Sequence, residues 1–536
     1  MTLVDACSRI IRFGFYLLFL AVPLLLTPWN YELFEYNKMM ATYGLTALII
    51  GAWLVKMVAQ KEIRIKRTPL DIPIALFLLS QFLATIFSMD PHVSWFGYYS
   101  RFNGGMWSVI CYVLLYYAFV TNIAGNIVSF LKLSIFSGVL VSLYGVAERL
   151  GIDKTIWVQD VQNRVFSTLG QPNWLAAYLV ALFPVSLAFA INAHSPSEAQ
   201  KRGSIFAFWI WELIALLFFL VLLFTRSRSG LLGFAVADIA FWGLSYFKFL
   251  RATAKKNPDT TLRVAGVIHV LLALLLFVNG SNIAGFDSVF SLQGIRNRIS
   301  LQKTPVATSP ATYVGPLLET GGTESGTIRK YVWQGAVNAW KSSTKTMLIG
   351  TGTETFAFAF YQFRPKEHNL KSEWDFLYNK AHNEYLNYLA TTGIFGLGSY
   401  LLFLGTFIWF MIKQIRNTKS EIRNNPQFQN EKKSKLLISN FDIRYSNLTE
   451  LALFSGWLSL LVTNFFGFSV VTGQLFLFLF PAIIIAETRD MQQETWYAKK
   501  INLKSSLRTA FIITLLLALL ALLVLLARFW QADTDF

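Results

Sequence analysis

Lys380-Ala381-His382-Asn383-Glu384-Tyr385-Leu386 closes a long polar stretch that begins near Ser281, and an apolar run of membrane length starts on its far side. A helix that crosses a bilayer needs about 20 mostly apolar residues. Working outward from the quoted stretch, such runs centre on 385–412, 448–470, 472–487 and 510–528 in one direction. In the other they centre on 263–280, 229–249, 204–224, 172–192, 127–147, 105–124, 70–89, 38–58 and 11–28. The runs at 172–192 and 472–487 are the least distinct, and Phe511 to Ala527 is the cleanest. These thirteen runs predict an all-α fold, a polytopic transmembrane bundle of about 12–13 helices. Residues 1–280 would hold the N-terminal helices, 281–383 one large, partly helical outer loop, and 384–536 the C-terminal helices.

Composition agrees with that reading. The 536 residues are 54% hydrophobic and only 14% charged, against roughly 25% charged in a soluble domain. Aromatics make up 16%, including 48 Phe and 16 Trp, as expected where aromatic belts mark two membrane interfaces. The net charge of +17 does not point to nucleic acid, because Lys and Arg sit in short loops between apolar runs. Cys7 and Cys111 are the only cysteines, which excludes a disulfide framework and a cysteine-based metal site. The first run follows Arg9 and Arg12 and lacks a small-x-small cleavage site, so it reads as a retained helix rather than a signal peptide.

Basic residues in short loops favour the cytoplasmic side. With the N-terminus inside, the inner loops collect Lys56, Lys61, Arg64, Lys66 and Arg67, then Lys248, Arg251, Lys255 and Lys256, and a basic segment over 413–446 that reads as a solvated linker. The outer short segments hold far fewer. Several of those few are arginines in polar turns: Arg101 in Tyr98–Gly105, Arg164 in Asn163–Asn173, and Arg226 and Arg228 in Thr225-Arg226-Ser227-Arg228-Ser229-Gly230. Arginines on the side that positive charge avoids need a reason. A bound anion is one, since guanidinium forks match phosphate oxygens and stay charged. Snorkelling to lipid headgroups is the other.

Within the long loop, Thr304 to Gly326 is rich in Thr, Pro, Ser and Gly and reads as a mobile strap. Ile328, Val332, Trp333, Ala336, Val337 and Trp340 then follow helical spacing and carry Arg329 on a helix at about 328–343. Gly350-Thr351-Gly352 turns into an aromatic stretch, Phe356 to Phe363. His382 stands at the mouth of the next helix. A neutral imidazole there can take a proton from a hydroxyl near neutral pH, or it can simply bond to backbone. Glu384 would orient it or favour the helix N-terminus. The arrangement is not the zinc-protease one, which needs histidines at i and i+4. Asp238, Glu212, Glu148 and Glu450 lie in or beside spans and are scattered, so helix–helix hydrogen bonding outweighs a proton path. Asp533-Thr534-Asp535 reads as a polar tail.

Several of these stretches together resemble one family. Thr225–Gly230 followed by Leu231-Leu232-Gly233 is similar to the Ser-Arg-x-Gly segment of bacterial O-antigen ligases and polymerases. Arg164 to Asn173 is similar to that family's Gly/Pro-Asn segment. Arg329-x3-Trp333 with Leu348-Ile349-Gly350-Thr351-Gly352-x3-Phe356 resembles the first half of its large periplasmic loop. His382-Asn383-x-Tyr385-Leu386 followed by Thr392-Gly393-Ile394-Phe395-Gly396 resembles the second half. The resemblance spans about residues 98–410.

It implies a GT-C type glycosyltransferase that takes a glycan from undecaprenyl diphosphate and passes it to a glycan, lipid or protein acceptor on the outer face of the plasma membrane. Such ligases are thought to work without a metal or other cofactor and to invert the anomeric centre. By position, His382 looks like the family's essential histidine, and Arg228 and Arg329 like its diphosphate-binding arginines. Arg226, Arg164, Arg101, Asn173, Asn383 and Glu384 would contact substrate. Two departures are the thirteenth helix, where the family usually has about twelve, and the additional Arg226. A polymerase of lipid-linked repeat units is the alternative. A transporter would place charges along an intramembrane cavity or show two similar halves, and the sequence shows neither.

Overall fold

The computed structural model describes residues 2–99, 102–123, 125, 127–193, 204–247, 259–300, 325–424, 433–488, 496–500 and 504–535. Arg101, most of the Thr304–Gly326 strap and residues 425–432 of the cytoplasmic segment lie outside them. In chain order, α1 (Leu3–Leu20) and α2 (Glu35–Gln60) precede β1 (Glu62–Lys66), α3 (Asp71–Ile86), α4 (Pro91–Phe96), α5 (Met106–Asn122) and α6 (Ile127–Arg149). Then come α7 (Pro172–Ala193), α8 (Ser204–Thr225), α9 (Arg228–Ser245) and α10 (Asp259–Asn279). Short helices follow: α11 (Ala284–Phe290), α12 (Leu292–Ser300), α13 (Ser325–Trp340), α14 (Thr344–Ile349) and α15 (Phe356–Phe363). The chain ends through α16 (Glu384–Asn424), α17 (Lys433–Phe465), α18 (Val471–Glu487), β2 (Trp496–Lys500) and α19 (Ser505–Thr534).

Every one of the thirteen apolar runs is a helix, and the chain is an all-α polytopic bundle. Among the described residues eight helices are long and apolar enough to cross a membrane, or nine if α10 and α11, bent by 106°, form one span. That is fewer than thirteen spans. α3, α5 and α18 are apolar but have only 16, 17 and 17 residues. α9 carries Arg228 and Asp238 within its 18 residues. The segment 413–446, read as a solvated linker, is helical on both flanks, because α16 runs on to Asn424 and α17 begins at Lys433.

The chain divides into two compact units: Met1–Ser137, Gly326–Phe410 and Gly467–Phe536 form the first, and Gly138–Ser325 and Met411–Phe466 the second. In the first, α2 packs on α1, α5 and α19, and α18 packs on α5. Phe478 of α18 stacks on Tyr112 and Phe403, with ring centroids 5.8 and 5.4 Å apart. β1 and β2 pair antiparallel, Glu62 opposite Lys500 and Lys66 opposite Trp496, which ties the end of α2 to the approach to α19. In the second, α7 packs on α8, α9 and α17. Phe234 of α9 meets Phe183 of α7 at 4.9 Å and Phe219 of α8 at 4.6 Å.

The most hydrophobic span is the least buried in protein. The apolar stretch of α7, one of the two least distinct runs, is 94% buried in protein, whereas that of α19, the most hydrophobic, is 0% buried. α18, the other indistinct run, buries nearly its whole length. A helix wrapped by protein tolerates polar residues and a proline, here Pro184 and Pro481, because neighbouring helices compensate the freed backbone groups. A helix that faces lipid cannot.

The C-terminal Asp533 is not a free polar tail. It is 7% exposed and accepts from Asn30 Nδ2 at 2.9 Å, Tyr31 N at 3.2 Å and the Tyr99 hydroxyl at 3.2 Å. Trp530 Nε1 reaches Asn37 Oδ1 at 2.7 Å one turn earlier. Asp533→Ala leaves these donors without their acceptor, which costs about 1–3 kcal/mol per buried group. The melting temperature of the protein in detergent is expected to fall, with Asp535→Ala as the neutral control. Equal melting of the two variants would refute the clasp.

Candidate active site

The candidate residues fall in both units. In the second unit, four polar segments are woven together. Ser227 caps α9: its Oγ accepts from Gly230 N at 3.1 Å and donates to Asn173 Oδ1 at 2.7 Å. Arg164 Nε donates to the Thr225 carbonyl at 3.1 Å. Arg226 takes a left-handed φ of 52°, and its carbonyl accepts from Asn282 Nδ2 at 3.2 Å. Arg228, on the first turn of α9, is exposed and donates through Nε to the Asn282 carbonyl at 3.3 Å. Its terminal nitrogens have no partner among the described residues. The turns around Arg164, Asn173 and Arg228, separate in the sequence, are therefore one site. Asn282 was not foreseen. Its only signal is a Gly-Ser-Asn turn after an apolar run, where Asn tolerates the φ of 61° that it adopts.

Glu148 of α6 underlies this site. Its Oε2 accepts from Phe166 N at 3.0 Å and Ser167 N at 2.7 Å. The sequence reading assigned it to helix–helix bonding, but it holds the amides of the 164–169 turn. Ser167 has a φ of 52°, and such strained turns persist only where surrounding bonds over-determine them.

In the first unit, His382 is 6% exposed and has a left-handed φ of 49°. Its ring meets Tyr378 edge-on at 5.9 Å and Phe468 at 5.4 Å. Asn383 caps α16 through Oδ1, which accepts from Leu386 N at 3.0 Å. Asn387 holds the preceding turn by accepting from Ala381 N at 3.2 Å. Glu384, buried, accepts from Gln474 Nε2 at 3.1 Å. Arg329 is partly buried on the second turn of α13, which buries Ile328, Val332 and Ala336 as the helical spacing predicts.

The two glycine motifs of the long loop meet in this unit. Gly352 N bonds the Thr391 carbonyl at 2.8 Å and Thr351 N the Ala390 carbonyl at 3.1 Å. Gly393 breaks the helical path of α16 with φ 66° and ψ −166°. A Cβ there would lie 2.4 Å from the backbone of Leu348, so only glycine permits this approach. Nearby, a polar cavity is lined by Gln81, Asn103, Glu354, Lys380, Glu384 and Gln474, among others. Glu354 and Lys380 form a buried ion pair. Neither was foreseen, because nothing in the local sequence marks a charged side chain as paired across the loop. Among the described residues no three His, Cys, Asp or Glu side chains cluster as metal ligands.

His368 supports the loop. It is fully buried and packs edge-on against Phe360 at 5.6 Å and Tyr378 at 5.5 Å. Burial, and then the Arg364 charge, hold its pKa below the usual histidine value. An unfolded histidine titrates near 6.5, so the unfolded chain binds this proton first. Stability that depends on neutral His368 is complete above about pH 6.5 and is lost as pH falls through the lower folded-state value. Melting temperature is expected to drop on acidification and to drop less in His368→Phe, which keeps the ring contacts. An equal drop in both would refute this role.

Comparison with known proteins bears on the same segments. Residues 213–401 match the family described as O-antigen ligase. This stretch is similar to O-antigen ligases. The match runs from α8 into α16 and contains Arg226, Arg228, Arg329, His382, Asn383 and Glu384, while Arg164 and Asn173 precede it. No curated protein matches the chain. Eight long apolar helices among the described residues make the chain a multi-pass membrane protein, part of which is similar to O-antigen ligases.

Proposed function

We propose that the protein transfers a glycan from undecaprenyl diphosphate to an acceptor hydroxyl on the outer face of the bacterial plasma membrane, with His382 as base and without a metal. The observation that carries the proposal is His382 itself, buried in the matched stretch where the chain enters an apolar span. His382 takes the proton of the acceptor hydroxyl, and the acceptor oxygen attacks the anomeric carbon. The bond from that carbon to the diphosphate oxygen breaks, and the diphosphate leaves with the electron pair. Negative charge grows on the leaving group, and preorganised arginine donors are worth most against developing charge. Arg228 and Arg329 are assigned that task. Arg226, Arg164, Arg101, Asn173, Asn383 and Glu384 are assigned to substrate contact.

The test is glycan transfer by the purified protein in detergent, with an undecaprenyl-diphosphate glycan, candidate acceptors and a chelator. Chelator-resistant transfer is expected. A ladder of repeat lengths would make the enzyme a polymerase, and a single coupled product a ligase. Lipid-linked glycan crossing vesicle membranes without transfer would overturn the proposal in favour of a transporter.

A further inference from the structure

We propose that the buried Lys380–Glu354 ion pair is a positioning device for His382, locking its turn in place and keeping its surroundings electrically neutral. This rests on His382 acting as the base. Lys380 lies two residues before His382, and its Nζ binds Glu354 Oε1 with side chains only 8% and 4% exposed. The pair joins two left-handed turns, Glu354 with φ 60° and His382 with φ 49°. Gly104, at φ 106°, closes over it: a Cβ there would sit 2.0 Å from Glu354 Oε1 and 3.0 Å from Lys380 Nζ. Three distant pieces of chain thus converge on one pair of charges. Burying two charges in this way costs desolvation that an apolar pair would avoid, so stability alone is a weak reason for it.

Lys380 also shares a neighbour with the imidazole. Its Nζ lies 6.0 Å from the Phe468 ring centroid, and the His382 ring lies 5.4 Å from the same ring. Other titratable groups beside this turn include Glu384, which is bonded to Gln474 and feels the charges of both Lys380 and Glu354, and Tyr378, whose hydroxyl is bonded to Glu373. His368 lies against Tyr378 as well. Lys380 brings a positive charge to this turn, and Glu354 is paired with it. Removal of either partner changes the net charge beside the base by one unit of known sign, which the nearby Glu384 offsets only in part. In surroundings of intermediate dielectric, a unit charge about 10 Å away moves a titration by roughly one pH unit.

The experiment is the pH profile of kcat for Glu354→Gln, Lys380→Met and the double variant, beside wild type and His382→Ala. Glu354→Gln removes one negative charge from beside Lys380, disfavours protonated His382, and is expected to move the acid limb lower, by at most about one unit because Glu384 also faces Lys380. Lys380→Met leaves Glu354 uncompensated and is expected to move it about one unit higher. The double variant removes both charges at similar volume, so it holds the fold better than a single that strands a buried charge. Its limb is expected to return to the wild-type position with kcat reduced tenfold or more, because the turn is no longer locked. Each single carries its own sign, so either one that folds decides, and the double decides through kcat if neither does. Shifts of the same sign, unmoved limbs, or a double variant with wild-type kcat would overturn the positioning role. Transfer that survives His382→Ala would instead overturn the assignment of the base.

Discussion

Replacing His382 with Ala is expected to lower glycan transfer by about 10²–10⁴-fold, the usual contribution of a positioned general base. The loss should fall on kcat, with donor KM little changed, because the imidazole acts on the acceptor proton. Two structural effects would accompany the substitution. The ring fills space between Tyr378 and Phe468, and the backbone is left-handed at this position, which alanine tolerates poorly. His382→Asn separates them from the chemistry, since asparagine accepts positive φ more readily but has no basic nitrogen. Both variants are expected to be inactive, and the Asn variant to melt closer to wild type. Transfer by His382→Asn within tenfold of wild type would remove His382 from the base role, whatever its packing.

Arg228→Ala is expected to be the second large loss, about 10²–10³-fold in kcat, in the range seen when one donor to a developing negative charge is removed. The fold should be spared. Arg228 is exposed and its one bond among the described residues runs through Nε to the Asn282 carbonyl. Arg228→Lys should recover only part of the rate, because a point charge replaces a planar fork that binds two oxygens at once. Arg226→Ala offers the contrast. Its backbone carbonyl, not its side chain, bonds Asn282, and the smaller loss expected there would mark Arg226 as an auxiliary. If Arg228→Ala and Arg228→Lys both transfer at the wild-type rate, the arginine serves lipid headgroups instead of the donor.

Most of the frame was legible in the sequence because the bilayer acts on each segment separately. A run of apolar residues must be helical to satisfy its own backbone in lipid, and every run became a helix. The order of motifs from Arg164 to Gly396 was legible too, since glycine, proline and a lone histidine carry local signals. Burial was harder to see. α7 and α18, which looked indistinct, are almost wholly buried by other helices, whereas the cleanest run, α19, is the one with no buried apolar stretch.

By itself the sequence determined the helices and nominated candidate residues for binding an anion or accepting a proton. Only the tertiary structure decided which of them have partners. Lys380 found Glu354 under Gly104. Gly352 found Thr391 beside the Gly393 break. Glu148 found the amides of Phe166 and Ser167, and Asp533 found Asn30 and Tyr99. A charge or a carbonyl in a sequence carries no record of what will neutralise it, because that is settled by which helices pack together. Helix formation in lipid depends on near neighbours along the chain, whereas pairing depends on neighbours in space.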